Sequence, residues 1–259
     1  LASSHFSPVD PTSVIIENAV TLLKRSFDSA YGGFSPPPKF PSPHIVLFLL
    51  ARCRLTGDPA LLNMAETTLK CMYRGGIFDH IGGGFSRYST DGRWLIPHFE
   101  KMLYDNALLT LAYAECFAAT GKDFYKSTAY RICEYVFSEL TDPSGGFYCG
   151  EDADSEGEEG RFYVFTPAEI ASVLGDKKGA EFCRAFAVTK SGNFEGKSVP
   201  NLIENPDWET AGQAHRESAE TLRLYRKKRA GLFKDDKILT AWTSLEIAAL
   251  ARAGAVFGD

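Results

Sequence analysis

The sequence is short of several signals that would assign a function at once. It has no block of Lys and Arg and no C2H2 or RRM-like pattern, and its net charge of -5 is spread over mixed-sign segments. A nucleic-acid surface needs clustered positive charge, so nucleic acid is excluded as a partner. No apolar run reaches the roughly 18 to 20 residues that span a bilayer, and the first residues lack a basic region followed by an apolar core. No membrane association is expected. The six cysteines are scattered, with no CxxC and no metal-ligand spacing. They read as small buried thiols in a reducing cytoplasmic compartment, and no metal is expected. The triple glycine Gly82-Gly83-Gly84 belongs to neither GxGxxG nor GxxxxGK, so it is no phosphate loop. A tight turn or close backbone approach explains it.

What is present is apolar and aromatic residues. A chain of 259 residues with 44% hydrophobic and 13% aromatic content buries a large core, and one domain over 1–259 is expected. The start, LASSHFSPVDPTS, has no initiator Met and reads as a loop, so an upstream segment is expected.

Three segments repeat a theme, beginning at Lys39, Lys101 and Lys237. Each opens with Lys, continues as an apolar helix and closes with Gly and Asp. From Met102 to Gly121 only Asp105 and Glu115 are charged, whereas Lys122 to Glu139 carries a charged stripe. A helix apolar on all sides is buried on all sides, while one with a charged stripe shows that stripe to water. Inner and outer helices therefore alternate, as in an all-α double ring, the α/α toroid. The chain holds about four hairpins, so a partial ring with exposed apolar edges, and self-association through them, is expected. The loop from Gly150 to Phe165 ends in alternating aromatics that suggest a short β-hairpin.

The stretch PHFEKMLYDN, residues 97–106, concentrates ionisable groups just ahead of the most apolar helix. With Pro97 in the first helical turn, the helical repeat puts His98, Lys101 and Asp105 on one face and Glu100 and Tyr104 on another, at the rim of a central pocket. His98 suits general acid/base work because its unperturbed pKa lies near neutrality. Read more plainly, His98 is a helix-start residue, and Lys101 with Asp105 a helix ion pair worth a few tenths of a kcal/mol. The acidic loop carrying Glu151, Asp152 and Asp154 lacks EF-hand spacing and reads either as a solvated loop or as hydroxyl-binding or acid/base groups. Aromatics near these groups, among them Tyr88 and Trp242, belong mostly to the core, though some suit the apolar face of a sugar ring.

Together GGGFSRYSTDGRWLIPHFEKMLYDNALL, GGFYCGEDADSEGEEGRFYVFTPAEI and DDKILTAWTSLEIAALARAG resemble the YyaL / spermatogenesis-associated protein 20 family. That resemblance implies an α/α-toroid domain like those of N-acylglucosamine 2-epimerases and six-hairpin glycosidases, preceded in the family by a thioredoxin-like domain. This chain then corresponds to the first part of the toroid, with the thioredoxin-like domain and the last hairpins absent. Where the family usually has SWN, this chain has Ala241-Trp242-Thr243, which puts a role of that Asn in doubt here.

Three readings follow. In the first, a carbohydrate-acting epimerase or isomerase, His98 exchanges a proton with the carbon beside a sugar carbonyl. A second acid/base comes from His80, Glu100 or Asp105, and Arg87, Tyr88, Lys101, Tyr104, Asn106, Glu151, Asp152, Asp154 and Trp242 line the substrate site. No cofactor is needed. In the second, a glycoside hydrolase, one carboxylate comes from Glu100 or Asp105 and another from the acidic loop. The third is a non-catalytic toroid that binds a glycan or a protein beside a redox domain.

Overall fold

The computed structural model describes residues 13–229 and 231–259; the loop expected at the chain start lies almost wholly outside them. Ten helices account for most of the described chain. They are α1 (Ser13–Ser26), α2 (Pro43–Thr56), α3 (Pro59–Arg74), α4 (Leu103–Thr120), α5 (Asp123–Glu139), α6 (Pro167–Leu174), α7 (Asp176–Ala185), α8 (Trp208–Ala214), α9 (Arg216–Arg229) and α10 (Thr240–Phe257).

The hairpins are set by local chemistry. Gly57 takes the left-handed conformation that ends α2, then Asp58 accepts a hydrogen bond from the backbone of Ala60 and Pro59 opens α3. Gly121 ends α4 in the same way, and α5 begins two residues later. Along α5 the buried residues Tyr125, Thr128, Ala129, Ile132, Tyr135 and Val136 fall at helical spacing, so one face packs and the other meets water. In contrast, α4 is buried on most of its circumference, from Leu103 and Ala107 to Tyr113 and Cys116. Each of its large apolar side chains contributes about 1.5–3 kcal/mol by leaving water.

Packing follows that contrast. Helix α4 lies between α2 and α10, α5 backs onto α4, and α3 backs onto α2. An inner row α2–α4–α10 with an outer row α3 and α5 is an arc of an α/α toroid. Lys39, Lys101 and Lys237 each precede an inner helix by a few residues. Helix α10 stands at the edge of the arc, with Leu245 and Ile247 exposed although its sequence is as apolar as that of α4. No described helix is long and apolar enough to cross a membrane.

Short antiparallel strands tie the loops together. β1 (Tyr88–Ser89) pairs with β2 (Pro97–His98), and β3 (Lys101–Met102) with β4 (Gly150–Glu151). β5 (Asp154–Ser155) pairs with β6 (Glu158–Glu159), and β7 (Lys234–Asp235) with β4.

Two expectations are corrected here. α4 starts at Leu103 and not at Pro97: residues 97–98 and 101–102 are drawn into strands, and Leu103 N donates to Cys149 O. Long-range pairing overrides local helix propensity. The hairpin of the acidic loop falls at 154–159 and not on the aromatic run. Glu156 and Gly157 both take positive φ, as a two-residue turn of the hairpin type demands.

Candidate functional site

Because residues 97–102 are extended, the ionisable groups of this stretch part to two sides. One group faces the mouth of the arc. Tyr88 and His98 are cross-strand partners with rings stacked 4.9 Å apart. His98 Nδ1 lies 2.8 Å from Glu159 Oε1, and its Nε2 lies 3.6 Å from Glu100 Oε2. Arg87 donates to the same Glu100 oxygen at 3.0 Å. In the first turn of α4, Tyr104 meets the edge of Trp242 from the first turn of α10, with ring centroids 4.8 Å apart.

Asp105 is the group with chemical potential. Its side chain is buried and Oδ2 has no hydrogen-bond partner. Burial raises its pKa to about 7, partly offset by the charge of Arg87 and a hydrogen bond from Tyr104, while nearby Glu100 pushes it further up. Near neutrality such a carboxyl can either give or take a proton.

The second group is sealed inside. Lys101 Nζ donates to Asp79 Oδ2 and to Gly83 O, both at 2.8 Å, and sits over the rings of Tyr135 and Tyr163. Arg226 grips both oxygens of Asp79. Burial alone would raise the pKa of Asp79, but Arg226 and Lys101 together hold it far below the carboxylate range. Lys101 therefore pairs with Asp79 and not with Asp105, which corrects the expected helix pair. Glu151, opposite Lys101 in the β3–β4 register, accepts from Tyr135 OH at 3.0 Å, and burial raises its pKa. Asn106 brackets the backbone of Phe85, accepting from its N and donating to its O. These three expected substrate ligands are structural in this geometry.

Asp152 and Asp154 are exposed in the acidic loop. His80 lies among Tyr73, Phe78 and Phe186, where burial lowers its pKa to about 4, so it is not a second base beside His98. Of the expected site residues, Arg87, Tyr88, His98, Glu100, Tyr104, Asp105 and Trp242 gather at the mouth. Glu159 joins them, and only its place in an acidic run marked it in the sequence. Asp79 and Arg226 also escaped notice; the Asp ahead of the GGGF run was the available signal. A further buried carboxyl, Glu246 of α10, has no partner for either oxygen, nor do the nearby hydroxyls of Thr110 and Thr243. Burial raises its pKa to about 7. Among the described residues no group of three His, Cys, Asp or Glu is arranged to hold a metal ion.

No protein-family model matches the chain. Human spermatogenesis-associated protein 20 is 36% identical over 302 residues, an alignment that covers 100% of this chain and 38% of the human protein. This chain belongs to the spermatogenesis-associated protein 20 family. It spans well under half the length of that relative. Among solved structures, a sugar epimerase from a ruminal bacterium matches with 14% identity and a TM-score of 0.48, covering 95% of this chain and 82% of that one. Cellobiose 2-epimerase from Bacillus thermoamylovorans matches with 13% identity and a TM-score of 0.48, covering 96% and 84%.

Proposed function

We propose that the mouth of the arc is an acid/base site acting on a carbohydrate, of the epimerase or isomerase type. The observation that carries this reading is Asp105, a buried carboxyl with one unpartnered oxygen and a pKa near neutrality, set beside Arg87 and Tyr104. A proton moved to and from the carbon next to a sugar carbonyl needs a group that works in both directions at neutral pH. Asp105 and His98 are the two candidates. Arg87 is the donor for the oxygen that gains charge as the enolate forms. Trp242 offers an apolar ring to the C–H face of a sugar, Tyr88 backs the imidazole of His98, and the partners of His98, Glu100 and Glu159, orient its ring. No cofactor takes part in this chemistry.

Glycoside hydrolysis is the second reading, favoured by a specific contrast. Asp105 is buried without a counter-charge in contact, whereas Glu100 is ion-paired with Arg87, so the two carboxyl groups differ in environment as an acid and a base must. Reducing sugars and aryl glycosides screened with the chain and with a full-length relative separate the two. His98→Gln and Asp105→Asn should each cut turnover by roughly 100- to 10,000-fold with the melting temperature retained. Loss of isomerisation supports the first reading and loss of hydrolysis the second. Unchanged turnover in both variants removes this mouth from the chemistry.

A further inference from the structure

The loops that precede the inner helices share one construction. After α1, Asp28 N donates to Gly33 O and Gly32 N to Asp28 O, while Asp28 Oδ1 accepts from the backbone of Ala30 and Tyr31. After α3 the same bonds recur: Asp79 N donates to Gly84 O, Gly83 N to Asp79 O, and Asp79 Oδ1 accepts from Ile81 and Gly82. Both pairs of glycines have positive φ, and both runs continue into Phe and Ser.

A lysine then closes each loop. Lys39 Nζ donates to Asp28 Oδ2 and Gly32 O and lies over Trp94. Lys101 Nζ donates to Asp79 Oδ2 and Gly83 O and lies over Tyr135. The two lysines are 2% and 1% exposed, and each stands at the foot of an inner helix. A carboxylate and a carbonyl oxygen on each ammonium offset much of the cost of its burial.

The third loop, after α5, follows a related frame that is one residue shorter, with positive φ at Gly145 alone of its two glycines. Asp142 N donates to Gly146 O, Gly145 N donates to Asp142 O, Asp142 Oδ1 accepts from Ser144, and Phe147 follows. The lysine at the foot of α10 is Lys237. It is turned outward, 68% exposed, 3.0 Å from Asp235. Its neighbour Ile238 nevertheless packs on this very loop, close enough that a Cβ on Gly146 would meet it at 2.7 Å. Asp142 Oδ2 is taken by Tyr148 OH at 2.6 Å.

We infer that Lys237 and the Asp142–Gly146 loop form a third clasp, open in this structure, which closes by turning Lys237 Nζ onto Asp142 Oδ2 and Gly145 O. Closure exchanges one exposed pair for another that matches the geometry of the two buried clasps. It fixes the foot of α10 and so holds Trp242 where it already meets Tyr104, whatever substrate the mouth takes. Lys237 is on this view a positioning residue, and the loop a strap.

Lysine acylation followed by mass spectrometry reads the clasp directly in the intact chain. If the clasp closes, Lys237 is labelled at least about tenfold more slowly than Lys178, whose side chain is 66% exposed, and Asp142→Asn restores fast labelling. Labelling of Lys237 at the rate of Lys178 overturns the inference, and so does protection that survives Asp142→Asn. A melting cycle checks the partner: with a closed clasp, Lys237→Met and Asp142→Asn are coupled and the double variant melts no lower than the weaker single variant. Additive shifts, or coupling of Lys237 with Asp235 alone, count against it.

Discussion

Lys101 Nζ and Asp79 Oδ2 lie 2.8 Å apart with both side chains almost fully buried, and Arg226 grips both oxygens of the same carboxylate. The three groups join the foot of α4, the loop after α3 and helix α9. Lys101 also faces the buried carboxyl of Glu151, so removing its charge takes compensation from Glu151 as well as from Asp79 in a medium that solvates them poorly. Lys101→Met should therefore destabilise the chain by about 3–5 kcal/mol, seen as a fall of roughly 6–20 °C in melting temperature. A shift of a degree or two would mean that water reaches the cluster.

On the proposed reading, Asp105 sets the pH dependence of turnover. With a pKa of about 7, its protonated and ionised forms exchange dominance around neutrality. The rate should show a limb near pH 7 that disappears in Asp105→Asn. A limb that persists in that variant assigns it to another group.

Glu246 works on stability instead. Its folded pKa, about 7, lies above the ordinary 4.5, so the folded chain holds the proton more tightly than the unfolded one. Its stabilising effect is present below about pH 4.5 and is lost as pH rises through 7, in total about 3 kcal/mol. His80 acts in the opposite sense over a similar window, because its lowered pKa of about 4 removes stability as pH falls from 6.5. The test is therefore the difference between variants: Glu246→Gln should melt higher than the parent at pH 8 and gain little at pH 4. Equal gains at both pH values would show an effect of packing alone.

The cysteines give a simpler measurement. All six are free, and burial raises Cys116 and Cys133 to about 12. An alkylating reagent on the native chain should leave those two unmodified while labelling the partly exposed Cys53, and reductant should not change the mass. Rapid modification of Cys133 would place the α5–α10 contact in an open state.

Much of the arc was legible because helical periodicity is a local property. The stripe on α5 and the unbroken apolar run of α4 gave outer and inner positions directly. The glycines that close the first two repeated segments, Gly57 and Gly121, marked their ends. The first residues of PHFEKMLYDN were misread because their conformation is decided by Tyr88, Gly150 and Glu151, which lie elsewhere in the chain. The site was only half legible for the same reason. His98 meets Glu159 across 61 residues and Asp79 meets Arg226 across 147, separations that no spacing rule reaches. Lys101 looked like a ligand because its partner was sought on its own helix.

The pairing of β4 with β7 brings Glu151 beside Lys234, so everything between them leaves the arc and returns through one doorway. Helices α6 to α9 are in that sense a parenthesis in the chain, yet Ile170, Phe182, Leu202 and Leu222 within it belong to the same core as α2 to α5. Loop closure at such a doorway depends only weakly on the length enclosed, so added residues in the exposed turns of this excursion cost the doorway little. Arg226 is what the parenthesis gives back. A shortened chain that joins Glu151 to Lys234 through a tight turn would leave Asp79 without that guanidinium, and Tyr73, Phe124 and His80 without the rings of Trp208 and Phe186.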